Sequence, residues 1–219
     1  SDGDLSIKPD TVENDTLYFG TKVRKIEGQY VAVGSTSNTM ELFPTNSVTI
    51  GAGGTIVGAS PATGSAILAG TGNIISGHFN TLVGGAQNRI SGDLLGFNFI
   101  GGGSGIDIVN SQYSSSVGGR NNDVSGADHS VILGGNSNYI LTGQDHFLGG
   151  GSSNRISGTN AGADFSNALV GGTDNEILNC QYSFIGAGAS NTVFSSNSVI
   201  GGGNSNIASG DSSVVFGGT

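Results

Sequence analysis

From about residue 46 onward, short apolar stretches alternate with glycine-rich turns at a nearly constant interval. One stretch runs into a glycine pair: "TLV" at 81–83, "VIL" at 131–133, "ALV" at 168–170, "SVI" at 198–200 and "VVF" at 214–216. The other is a short Asn-x-Ile arm, often closed by Ser-Gly, as at 91–92, 125–126 and 157–158. Val, Ile and Phe between glycine turns predict strands of only a few residues. No apolar spacing of three and four persists, and glycine is too frequent for a helix.

The two stretches belong to one recurring phrase. It reads "GGAQNRI" at Gly84, "GGRNNDV" at Gly118, "GGNSNYI" at Gly134, "GGSSNRI" at Gly150 and "GGTDNEI" at Gly171. Weaker copies start at Ala69, Gly102, Ala187 and Gly201. A fixed period of this kind predicts stacked coils, each too thin to bury its own apolar face. The expected architecture is all-β: a Gly-rich repeat β-roll or β-solenoid over residues 46–219, with about ten coils of mostly 15–18 residues. Gly84, Gly118, Gly134, Gly150 and Gly171 are expected at the corners, for positive φ or close backbone approach. Asn88, Asn122, Asn138, Asn154 and Asn175 hold one place in the repeat. They are expected to tolerate a left-handed turn and to hydrogen-bond from coil to coil.

In "TLV", "VIL" and "ALV" neighbouring residues are both apolar, yet neighbours on a strand point to opposite faces. One face fills the coil and the other needs a second partner, which predicts an intertwined homotrimer packed around an axis. Residues 1–45 differ. They hold four of the seven basic residues, and "TLYFG", "KVRKIEG" and "YVAVGS" are expected as three short strands of an N-terminal cap or shaft end.

"TNSVTIGAG", "HSVILGGNSN" and "NSVIGGGNSNIASG" resemble the head repeats of trimeric autotransporter adhesins. Similar Gly/Asn/Ser repeats occur in trimeric phage tail fibres and in adhesive fibres of predatory bacteria. The resemblance covers roughly residues 46–219. It implies an extracellular, cell-surface or virion fibre that binds a cell-surface glycan or protein receptor. A purely structural fibre spacer and a polysaccharide-degrading spike are the alternatives.

Composition narrows the chemistry. The net charge of −9 disfavours nucleic acid and anionic membranes as partners. No apolar run is long enough to span a bilayer as a helix, so no membrane insertion is expected of this region. The chain opens on "SDGD" without Met, as expected of a processed or trimmed fragment. Cys180 is the sole cysteine and reads as a small packed residue.

No cofactor or metal is expected. "GGSGIDIV" at 102–109 fits a calcium β-roll nonapeptide only once, whereas such rolls need tandem copies. His78, His129 and His146 share a rough place in the repeat but lack close partners in sequence. Arg89, Asp107, Asp123, Tyr139, Arg155 and Glu176 occupy the x of Asn-x-Ile and predict one mixed-charge column. No nucleophile–base pair or phosphate loop accompanies it, so an enzyme is not expected. The candidate receptor-binding residues are aromatic: Phe79, Phe97, Tyr113, His129, His146, Phe165 and Tyr182, all shortly before the glycine-leading strand. Stacking is expected to line them along one edge, either as a binding surface or as packing. The insert at 157–167 is the expected protruding loop.

Overall fold

The computed structural model describes residues 64–92, 96–158 and 166–219, and the backbone of strands Ala32–Val33, Val48–Ile50 and Thr55–Val57. Among these residues every element is a strand. From Val48–Ile50 onward successive strands alternate between two sheets, so each circuit of the chain adds one strand to each. The first sheet has 12 strands and the second has 10, all paired in parallel. Single-residue bridges form a third ladder through Thr71, Ala86, Ser104, Arg120, Asn136, Ser152, Thr173, Ala189 and Asn204. The result is a β-solenoid of about nine turns, with coils about 4.8 Å apart.

The strands are short because each coil has two walls and must turn between them. In the first sheet Thr81–Leu82 pairs with Phe99–Ile100, and Val131–Ile132 with Phe147–Leu148. In the second, Arg89–Ser91 pairs with Asp107–Val109, and Tyr139–Gln144 with Arg155–Ser157. Every pairing is in register, so equivalent residues stack directly. The interior is therefore two facing apolar ladders. Leu82, Ile100, Ile132, Leu148 and Leu169 come from the first sheet, and Ile90, Ile108, Val124, Ile140 and Ile156 from the second; all are fully buried. Cys180 is buried among them. Ser116 interrupts the first ladder between Ile100 and Ile132, and its buried hydroxyl has no partner.

The first sheet begins at Ala32–Val33, which pairs in parallel with Val48–Ile50. That strand lies in "YVAVGS"; the expected strands in "TLYFG" and "KVRKIEG" lie outside the described residues.

Two rows of polar side chains tie the coils together inside the walls. The first is the asparagine row. The Asn88 N–H donates to Asn73 Oδ1 at 3.1 Å, and the Asn138 and Asn154 N–H groups each donate to the Oδ1 one coil earlier at 3.0 Å. Each Nδ2 donates to a glycine or alanine carbonyl of its own coil and to a glycine carbonyl of the next, as Asn88 does to Gly84 and Gly103 and Asn73 to Ala69 and Gly85. These asparagines are not the left-handed residues expected from sequence. Positive φ falls on the residue before: Gln87, Asn121, Ser137, Ser153, Asp174 and Ser190. The physical reason is geometric, since the left-handed turn at that residue aims the following asparagine inward.

The glycine assignment shifts in the same way. Gly84, Gly118, Gly134 and Gly171 have ordinary φ and room for a side chain, whereas Gly150 has the expected positive φ, +146°. The constrained glycine is the second of each pair, where a Cβ would overlap the backbone of the next coil. The repeats carry this signal themselves, because Ala69 and Ala187 replace the first glycine while Gly70 and Gly188 keep the second.

Candidate functional site

The outer face of the first sheet carries Ala66, Thr81, Phe99, Ser115, Val131, Phe147, Ala168, Phe184, Val199 and Val214. Two residues later on each strand stand Leu68, Val83, Gly101, Val117, Leu133, Gly149, Val170, Gly186, Gly201 and Phe216. Only Thr81 and Ser115 bring a polar group, and no position is charged. The two rows compensate in volume. Where the first is Phe, the second is Gly, and the rings of Phe99, Phe147 and Phe184 lie over Gly101, Gly149 and Gly186, 3.3–3.4 Å from where a Cβ would stand. Where the first is Ala, Thr or Ser, and at Val131, the second is Leu or Val; Val199 with Gly201 and Val214 with Phe216 depart from this at the last two strands. The face is thus level from Ala66 to Gly186 and apolar along the whole stack, with Leu133 47% exposed at its centre. As expected of "TLV", Leu82 points into the coil and Val83 out of it.

The candidate aromatic residues divide into three groups. Phe79, Phe97, Tyr113 and His129 stack in one column, with ring centroids 4.8, 5.1 and 5.2 Å apart. All four have φ near +50°, a backbone that bulky residues rarely adopt. Stacking offsets that strain by about 0.5–1.5 kcal/mol per pair. It also covers the ring faces, so the ridge shows edges. His129 ends the stack beside Asp145, with Nδ1 and Oδ1 3.8 Å apart. Tyr182 holds the same turn position, is 55% exposed, and carries no stacked ring among the described residues. Phe165, and most of the insert at 157–167, lie outside the described residues.

His146 does not belong on this edge. Asp145 takes the left-handed corner, and His146 turns inward to full burial. There it joins the second polar row: Ser65, Asn80, Asn98, Ser114, Ser130, His146, Asn167, Ser183 and Ser198. Each side chain accepts the N–H of its successor, as in Asn98 to Asn80 Oδ1 at 3.0 Å and Ser130 to Ser114 Oγ at 3.1 Å. His146 Nδ1 accepts the Asn167 N–H at 3.3 Å, and its Nε2 lies 3.2 Å from the Thr142 carbonyl. A carbonyl only accepts, so Nε2 carries the proton and the ring is neutral. Sequence reasoning missed this row because serine, asparagine and histidine serve alike as acceptors and leave no single-letter repeat. The three histidines occupy three successive turn positions, so stacking does not bring them together.

Burial pulls the His146 pKa down to about 4, against smaller opposing effects from the Thr142 carbonyl and Asp145. A buried neutral histidine stabilises the fold fully above its unfolded pKa near 6.5. That stabilisation is lost as pH falls from about 6.5 to about 4, up to about 3 kcal/mol. His146→Asn should remove this part of the pH dependence and still fold, because Asn80, Asn98 and Asn167 already serve in the row. Urea denaturation of both proteins at pH 7 and pH 4.5 checks it; equal pH slopes would refute it.

The mixed-charge column forms on the outer face of the second sheet, with Arg89, Asp107, Asp123, Tyr139, Arg155 and Glu176 in register on successive strands. Arg89 grips Asp107 with two bonds, Nε to Oδ1 at 3.2 Å and Nη2 to Oδ2 at 2.9 Å. Asp107, the acid of the calcium-like phrase, is thus committed to an arginine. Burial and then the Asp107 charge push the Asp123 carboxyl above the usual range, with Arg89 partly opposing. Asp123 Oδ1 and Arg155 Nε are buried and unpartnered. Among the described residues no group of three or more metal-ligating side chains occurs. Comparison of the sequence with protein-family models and with curated proteins finds no match to either.

Proposed function

We propose that the chain is one strand of a trimeric extracellular fibre, an attachment protein whose rigid stack carries receptor-binding surface away from a cell or virion. The observation that carries this reading is the level, uncharged outer face of the first sheet. Contiguous apolar strips of such length mark interaction surfaces. A strip one short strand wide suits packing around a common axis, where three chains each present one face and their Leu, Val and Phe side chains fill the space between. The second sheet then faces outward with its mixed-charge column. The likeness of the repeats to adhesin heads and fibre proteins supplies the attachment role, and the acidic, charge-poor surface suits a glycan or envelope-protein receptor better than nucleic acid.

Light scattering of the purified protein tests the assembly. The expected mass is three copies of the 21.7 kDa chain. Leu133→Asp places a charge at the centre of the strip without touching the coil interior, and should reduce the trimer to monomer or to non-specific aggregate. A stable, folded wild-type monomer would overturn the proposal. Binding of labelled trimer to intact bacterial cells tests the attachment role.

A further inference from the structure

We infer that the outer face of the second sheet carries a subsite for a neutral sugar ring, centred on Tyr139 and flanked by Asp123 and Arg155. This rests on the attachment reading and names its ligand class and place. The three residues are in register on adjacent parallel strands: Asp123 pairs with Tyr139, and Tyr139 with Arg155. Their side chains share the outer face and stand about 4.8 Å apart along the stack. This face is directed away from the apolar strip, so assembly through that strip leaves it open.

Three features point to a sugar. First, Tyr139 is 37% exposed and has polar residues on both sides in register, and among the described residues no ring stacks on it. Its partly exposed ring offers apolar surface to the C–H side of a pyranose, whereas the rings of the corner ridge stack on one another. Second, Asp123 Oδ1 and Arg155 Nε are two of the three buried side-chain N and O atoms without partners among the described residues. Orphaned polar atoms are costly to bury, and a functional site is one of the few places where such a cost persists. Both residues are only partly buried, so part of each side chain remains accessible on this face. Third, ring hydroxyls both donate and accept, which suits a carboxyl group on one side and a guanidinium on the other. The net charge of −9 repels polyanions, and Arg89 is already engaged by Asp107, which leaves neutral glycans as the class that fits.

The test is calorimetric titration of the full chain with neutral hexasaccharides built from glucose, galactose, mannose or N-acetylglucosamine. At least one should bind with a Kd of about 1 mM or tighter. Tyr139→Ala should weaken it at least tenfold, Asp123→Ala and Arg155→Ala severalfold, and Asp211→Ala, at an exposed position away from this face, should leave it unchanged. Melting temperatures measured alongside separate lost binding from lost folding, and the Asp123 and Arg155 variants carry the test if Tyr139→Ala does not fold. Absence of binding to the whole panel, or wild-type affinity in Tyr139→Ala, overturns the inference. Cell attachment that persists in Tyr139→Ala removes this subsite alone; wild-type protein that fails to attach to cells removes the attachment reading itself.

Discussion

Gly135→Ala should destabilise the solenoid by about 4 kcal/mol or more, whereas Gly134→Ala, one residue earlier, should change stability by about 0.5 kcal/mol or less. Gly135 has φ +92°, and a Cβ there would overlap the Gly151 carbonyl oxygen and stand 2.8 Å from the Gly151 nitrogen. Both obstacles are backbone of the next coil, so neither can swing away. The same close approach recurs at Gly119 and Gly151, which locks the coil spacing at this corner. Relief would require lifting one coil off the next and breaking the neighbouring bridges, including the Asn136 N–H to Gly151 O bond at 2.9 Å. Gly134 has only the Gly118 oxygen near it, at 3.9 Å, and an ordinary φ.

Because a solenoid is stabilised by nearest-neighbour contacts, the Gly135 damage should appear as separate unfolding of the coils on either side. Thermal denaturation followed by circular dichroism reads both effects. Equal stability of the two variants would show that the second glycine is not the constrained one.

The repeat made the architecture readable. Two short apolar stretches per period, with glycine between, leave little choice but two walls and a stack. The alternation within "TLV" also revealed that Leu82 and Val83 face different surroundings. The roles of single residues within the turn were harder to read. Asn88 is periodic and therefore visible, but its left-handed neighbour varies among Gln, Asn, Ser, Asp and Gly, so the conformational signal was spread over several letters. The second polar row was hidden for the same reason. His146 drew attention as a ring near the aromatic positions, yet a shift of one residue moves a side chain from the outer edge to the interior. The aromatic column was anticipated as a column. That its rings lie face to face depends on their shared φ near +50°, which Phe and Tyr seldom adopt and which no sequence rule assigns to them. Asp123 and Arg155 stood out as members of a charged column, but their orphaned atoms arise from packing within that face.

Asn154→Ala should destabilise the fold by about 3 kcal/mol, from the loss of buried partners. Asn154 is fully buried and makes four bonds through one amide. Its Oδ1 accepts the Asn175 N–H at 3.0 Å and Asn175 Nδ2 at 3.2 Å. Its Nδ2 donates to the Gly150 and Gly172 carbonyls, both at 2.9 Å. Alanine leaves the Asn175 N–H and the Gly150 carbonyl without these partners, in an interior lined by Ile and Leu. Asn154→Asp separates the two halves of the role. The acid keeps an acceptor for Asn175 but turns an oxygen toward two carbonyls, so its ionised form is penalised and its pKa is raised in the folded state. Its stability should therefore be greatest in acid and fall as pH rises above the ordinary carboxylate range, opposite in sign to the His146 effect. Among the described residues this row contains one natural gap. Ile106 stands at the asparagine place, is fully buried, and still donates its N–H to Asn88 Oδ1 at 3.0 Å. A single break is thus tolerated when apolar burial replaces the lost bonds, which alanine cannot supply. Urea denaturation of the alanine and aspartate variants at pH 4 and pH 7 checks both expectations. A loss below about 1 kcal/mol for alanine would place the row's net contribution no higher than that of ordinary solvent-exchanged hydrogen bonds.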